Sequence, residues 1–167
     1  MPQKYRRFSL KSKESKQIIA EIAQQLKIEI DSLIDSKSNL EKVETEFGQL
    51  LLINGKPMFF QSNNVVFPIL TAEDVFAQLP KAVVDMGAVR YVCNGADIMA
   101  PGIVRYEGEF SKGEIIVVLD EKHGKPLALG ESLYSSIEVN NIKNGAIIKS
   151  WHYVGDKIWN LAKTIVD

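Results

Sequence analysis

The chain has 167 residues, 46% hydrophobic and 25% charged, with a formal net charge of -1 and one cysteine. That balance fits a folded chain with room for one medium domain or two small ones, and it excludes a disordered, collagen-like or strongly basic polypeptide. Cys93 stands alone, so no intramolecular disulfide or thiolate metal cluster can form within one chain, which points to a reducing cytoplasm.

The start MPQKYRRFSLKSKESK is charged and has no apolar leader core, and no apolar run approaches the ~18 residues of a membrane-spanning helix, so neither secretion nor membrane insertion is expected. Residues 1–79 carry ten Lys and Arg against ten Asp and Glu, and residues 80–167 carry ten against eleven, so neither half is basic. Locally, Lys4, Arg6, Arg7, Lys11, Lys13 and Lys16 face only Glu14. Such an arm suits phosphates on a ribonucleoprotein, or equally a solvated and partly frayed end.

In chain order, Glu14 to Leu26 places Ile18, Ile19, Ile22, Ala23 and Leu26 on one helical stripe and predicts a helix lying on a core. KVETEF, QLLLIN, PMFF and VVFPIL then read as strands. Asn54-Gly55 and Asn63-Asn64 mark reversals between them, because these residues tolerate the positive φ of a tight hairpin turn. The result is a small antiparallel meander whose core is expected to hold Phe59, Phe60 and Phe67. Thr71 to Asp74 has the form of a capping box opening a short helix that Pro80 ends.

From Lys81 the texture changes to Val- and Ile-rich segments punctuated by glycine. Ala82 to Asp85 reads as a strand. Met86 to Asn94 reads as a helix with Val89, Val92 and Cys93 on one face, stopped by Asn94-Gly95. Ile98 to Val104, interrupted by Pro101-Gly102, reads as an irregular edge strand, since proline cannot donate to a central ladder. EIIVVLD is a buried strand turning into PLALGESLY, and Gly145 to Val154 predicts a further strand pair. In Trp151-His152-Tyr153, the first and third residues are expected to share a core face. Many short strands with glycine turns predict a closed or nearly closed small barrel, making the fold class α+β.

Catalytic chemistry lacks its usual parts. One cysteine and two distant histidines, His123 and His152, do not supply a zinc site, no phosphate-binding glycine loop is present, and Cys93 is a better core residue than partner for His152. No catalytic residue, metal or cofactor is therefore expected.

Residues 82–103 read AVVDMGAVRYVCNGADIMAPGI. The strand ending in Asp85, Gly87-Ala88-Val89, Gly95-Ala96 and Pro101-Gly102-Ile103, with GEIIVVLD and Asn144-Gly145-Ala146 downstream, resemble the PUA domain, the RNA-binding module named after pseudouridine synthases and archaeosine transglycosylases. With WHYVGDKIW closing that segment and INGKPMFF and VVFPIL preceding it, the whole chain resembles archaeal relatives of the malignant T-cell amplified sequence family. The resemblance implies a pre-PUA α+β domain over residues 1–79, a PUA-type β-barrel over 80–159 and a tail over 160–167. It also implies a noncatalytic, cytoplasmic, translation-associated protein. Its expected partners are RNA (tRNA or rRNA) and the small ribosomal subunit, with a protein partner on the first domain left open. Two alternatives stand beside it: a targeting subunit of an RNA-modifying enzyme, and a protein-interaction adaptor.

The resemblance places RNA against the helix after the first strand and the adjoining strand. The candidate RNA-binding residues are Gly87, Arg90, Tyr91, Asn94, Gly95, Ala96, Pro101 and Gly102. Glycine lets backbone approach a ribose-phosphate closely, and successive backbone N–H groups bind phosphate without side-chain charge, which would suit a net charge of -1. Arg90 can grip a phosphate or stack on a base, and Tyr91 offers a stacking surface. Equally, Tyr91 can pack in the core and the glycines can serve only the fold, and Asp97 puts a negative charge beside the site.

Overall fold

The structure, a computed structural model, describes residues 5–35 and 37–166. These divide into two compact units, Phe76–Trp159 being the second.

In the first unit, β1 (Arg6–Ser9), β2 (Leu40–Thr45), β3 (Gly48–Ile53), β4 (Lys56–Ser62) and β5 (Val65–Pro68) form one antiparallel sheet in sequence order, with α1 (Ser12–Leu26) between β1 and β2 in the chain. Both asparagine reversals take the backbone expected of them: Asn54 and Gly55 have φ of 52° and 82°, Asn63 and Asn64 of 49° and 65°. Helix α1 turns Ile22 and Leu26 inward and stops at Lys27, whose φ is 54°. The Gln25 amide fastens it to the sheet, donating to the Asn64 carbonyl at 3.2 Å and accepting the Val66 N–H at 3.1 Å. Phe59, Phe60 and Phe67 are all buried, so they form core and no exposed patch.

Two expectations here are corrected. The basic N-terminal stretch is not a free arm from Arg6 onward, because it forms the edge strand β1 against β2. Arg7 grips Glu41 through two hydrogen bonds of 2.7 and 3.1 Å, holding that carboxyl below the ordinary range, and Arg6 lies 4.0 Å from Glu44. Lys4 lies outside the described residues. The expected helix to Pro80 is a single turn, α2 (Glu73–Phe76), entered by an Ala72 N–H bond to the Ile69 carbonyl and carrying the expected acidic residues Glu73 and Asp74 in its first turn.

The second unit contains β6 (Lys81–Val84), α3 (Val89–Val92), β7 (Ile98–Met99), a 3₁₀ turn (Ala100–Gly102), β8 (Ile103–Glu107), β9 (Ile115–Asp120), β10 (Pro126–Ser132), a second 3₁₀ turn (Glu138–Asn141) and β11 (Ala146–Tyr153). They make one six-stranded sheet in the order β7-β11-β10-β9-β6-β8, antiparallel except for β6 against β9. Its two edges, β7 and β8, are consecutive pieces of chain joined by one 3₁₀ turn, so the sheet must curl until its edges meet. Val84, Val92, Ile98, Ile116, Ala128 and Ile147 are among the residues that fill the interior.

Helix α3 is one turn, shorter than the expected Met86–Asn94. Residues from Asp85 to Ala88 instead make a tight turn in which the Ala88 N–H bonds both the Asp85 carbonyl (3.1 Å) and the Asp85 side chain (2.9 Å). The predicted strand pair over Gly145 to Val154 is one long strand, β11, and the residues after it, expected as a tail from 160, belong to the helix α4 (Lys157–Val166). Trp151 and Tyr153, expected to share a core face, are both half-buried, and Tyr153 packs against the barrel core. Pairing of β10 with β11 jumps from Leu129–His152 to Gly130–Ser150, and this bulge at Trp151 breaks the two-residue alternation. His152 is the fully buried residue of the three.

A buried imidazole needs partners, and His152 Nδ1 lies 2.7 Å from Asp156 Oδ2. Burial raises the Asp156 carboxyl. The His152 hydrogen bond and charge, together with N–H groups of Trp159 and Tyr153, outweigh it and hold the carboxyl below 3.8. Because the folded-state carboxyl ionises below its unfolded value, its contribution is complete above about pH 4 and is lost as pH falls through the folded value. Acid unfolding midpoints of the wild type and Asp156→Asn check this: the stability gap between them is expected to shrink as pH drops below 4.

Gly130 sits where β10 and β11 nearly touch: a Cβ there would lie 2.0 Å from the Lys149 carbonyl oxygen. Gly130→Ala is expected to destabilise the protein by about 3 kcal/mol or to prevent folding, read as a lowered urea midpoint, since backbone cannot yield as a flexible side chain would.

Candidate nucleic-acid interface

The curl of the second sheet leaves a groove of about 460 Å³ between the turn before α3, the turn after it and the β7–β8 connection. Among its walls are Gly87, Ala88, Tyr91, Ala96, Pro101 and Gly102. Buried Val92 and Ile98 form its floor, while Tyr91 stays 55% exposed and Met99 48% exposed. Most lining surface is apolar, and the charged groups on it are Asp85 and Asp97.

Tyr91 is held firmly. Its carbonyl accepts N–H bonds from both Asn94 and Ala96 at 3.1 Å. Arg90 lies over its ring, 4.7 Å from the centroid, and donates to its hydroxyl at 2.7 Å. Tyr91 is thus a presented surface and not a core residue. Arg90 does not line the groove and is already engaged, so its first role is to fix that ring.

The expected sites divide accordingly. Gly87, Tyr91, Ala96, Pro101 and Gly102 come together on the groove, whereas Arg90, Asn94 and Gly95 do not line it. Gly95 serves the fold: its φ is +91°, and a Cβ would lie 2.9 Å from the Tyr153 ring. The backbone route to phosphate expected there is closed, because the N–H groups of Asn94, Gly95 and Ala96 all bond carbonyls of Tyr91 or Val92. Gly102 lets the β7–β8 turn approach α3, its Cβ position lying 3.1 Å from that of Ala88. Asp97 accepts the Ser150 N–H at 3.0 Å, tying the loop after α3 to β11.

A PUA-domain model matches residues 80–154, the segment that forms this groove, and a domain of unknown function (DUF1947) matches residues 6–72. An uncharacterized protein of Methanocaldococcus jannaschii is 36% identical over 152 residues, covering 87% of this chain and 93% of that one. Translation machinery-associated protein 20 of Saccharomyces cerevisiae is 32% identical over 167 residues, covering 93% and 92%. The chain belongs to the PUA-domain family of translation machinery-associated protein 20 and the malignant T-cell-amplified sequence proteins. Among solved structures, a hypothetical protein of Pyrococcus horikoshii superposes with a TM-score of 0.80 at 32% identity, over 94% of this chain and 99% of that one.

Within this family member, sequence reasoning missed Met99 and Ala88. The alternation of buried Ile98 with exposed Met99 was the available signal, but two residues are too short a run to read. No cluster of three or more His, Cys, Asp or Glu among the described residues is placed to hold a metal. Cys93, packed against the core, has its thiol pushed up by burial, the opposite of an activated nucleophile. Native protein at pH 8 is therefore expected to react with iodoacetamide several times more slowly than the urea-unfolded chain, as read by mass spectrometry.

Proposed function

We propose that this chain is a noncatalytic, cytoplasmic RNA-binding protein of the translation apparatus. Residues 80–159 bind RNA through the groove beside α3, and the protein acts at the small ribosomal subunit and tRNA. The observation that carries this reading is the clamped, outward Tyr91 ring on an apolar groove. A solvent-facing aromatic held in one orientation has little value for stability and suits the stacking of an unpaired base. Membership of a family that includes translation machinery-associated protein 20 supports the setting.

Since the charged groups lining the groove are two carboxylates, RNA affinity is expected to depend weakly on salt, with log K falling against log[salt] at a slope of roughly -0.7 to -1.4, that is, one or two phosphates of a single strand. Sedimentation of the purified protein with small subunits, and crosslinking to tRNA, test the assignment. Tyr91→Ala is expected to weaken association about tenfold, within the ~1–3 kcal/mol of a lost base stack. Arg90→Glu, which removes the clamp and reverses a charge, is expected to weaken it similarly. Undiminished binding by both variants would remove the site, and failure of the wild type to bind subunit or tRNA at low salt would remove the function.

A further inference from the structure

We infer that the groove reads the amino edge of one unstacked base, and that Asp97 is the residue that selects it. This rests on the RNA-binding function proposed above and adds what the site recognises.

The lining disfavours phosphate. Its charged groups are two carboxylates, and Arg90, the nearest cation in sequence, is occupied by Tyr91. The N–H groups of Asn94, Gly95 and Ala96 are bonded internally. A phosphate in the groove would therefore meet like charge with little to offset it. What fits is flat, uncharged and rich in donors. The volume lies within the roughly 300–1,000 Å³ of small-molecule sites, and Tyr91, Met99 and Ile98 supply apolar surface for a base.

Asp97 is set up to read an edge. The Ser150 N–H fixes its Oδ1, while Oδ2 has no hydrogen-bond partner among the described residues. Asp85 is half-buried and its carboxylate is tied into the Ala88 turn, whereas Asp97 is exposed at the groove. An ionised carboxylate only accepts hydrogen bonds. Adenine N6 and cytosine N4 each project an exocyclic amino hydrogen toward such an acceptor, with a ring nitrogen lone pair to one side, and guanine offers the adjacent N1 and N2 donors. Uracil offers one imino hydrogen flanked by two carbonyl oxygens, which the carboxylate repels. The site therefore prefers amino-bearing bases to uracil.

The test is equilibrium binding of labelled oligo(A), oligo(C) and oligo(U) at one salt concentration to the wild type and to Asp97→Asn. The asparagine keeps a carbonyl for the Ser150 N–H and presents an amide donor to the groove, so the fold is retained and the reading reversed. Wild type is expected to bind oligo(A) and oligo(C) about tenfold more tightly than oligo(U), the scale of a hydrogen bond to a charged group. Asp97→Asn should move that ratio about tenfold toward oligo(U). As a measurement independent of any variant, replacing adenine by purine, which lacks the 6-amino group, should cost the wild type the same factor. Equal binding of all three oligomers, preference unchanged in the variant, or full affinity for the purine oligomer each overturns the inference while leaving RNA binding in place. Failure of the wild type to bind any oligomer overturns the RNA-binding function and this inference with it.

Discussion

The Gly102 carbonyl accepts the Asp85 N–H at 2.9 Å and Ala100 donates to the Gly145 carbonyl at 2.9 Å, so one 3₁₀ turn is bonded to the end of β6 on one side and to the start of β11 on the other. An open six-stranded sheet would expose two rows of unpaired backbone groups. Here the same turn ties both edges. Pro101, which has no N–H to contribute, occupies that turn between β7 and β8 and not a ladder position. The groove follows from this closure. With β7 and β8 held around Ala100–Gly102, the turn stands beside α3 and leaves a concavity whose floor is core and whose rim is backbone.

The distribution of charge follows a consistent logic. Arg7 is committed to Glu41, Arg105 lies 3.2 Å from Glu107, and Arg90 is committed to Tyr91. These arginines face local partners before they face a phosphate. Exposed ion pairs such as Arg7–Glu41 and Arg105–Glu107 add little stability, and their carboxylates lower the positive potential that would otherwise collect RNA regardless of sequence, whereas Arg90, beside a neutral ring, keeps its charge. For a protein without a basic coat, an apolar groove with an aromatic wall is a surface suited to the proposed contacts with bases.

Much of the fold was legible because it depends on local rules. The paired asparagine turns require positive φ, the α1 stripe is a plain helical period, and the unbroken apolar run of β9 identifies a strand buried on both faces. The failures share a different cause. β1 has no apolar pattern, since Arg6, Arg7 and Phe8 gain their order from pairing with β2 and not from their own composition. The Trp151 bulge and the division of Ile98–Val104 into strand, turn and strand are set by pairing with distant segments, and periodicity within a short window cannot register them. At the site, the spacing of the glycines located the right stretch but not their roles. Only the structure separates Gly95, which makes room for Tyr153, from Gly87, which lines the groove.

An exposed tyrosine beside an exposed methionine is unfavourable in water, and its persistence depends on how little freedom the surrounding chain retains. Tyr91 is fixed at its backbone by two N–H bonds to one carbonyl and at its ring by Arg90, and Asp97 is fixed by β11. A ligand arriving at this surface orders few side chains, so the entropy that usually offsets a small interface is largely spent during folding. That is the physical condition under which a single stacked base and one or two directed hydrogen bonds suffice for recognition. Gly95, Ser150 and the Arg90 guanidinium do not line the groove, and they act by holding the residues that do: Gly95 makes room for Tyr153, Ser150 anchors Asp97, and Arg90 lies on the Tyr91 ring.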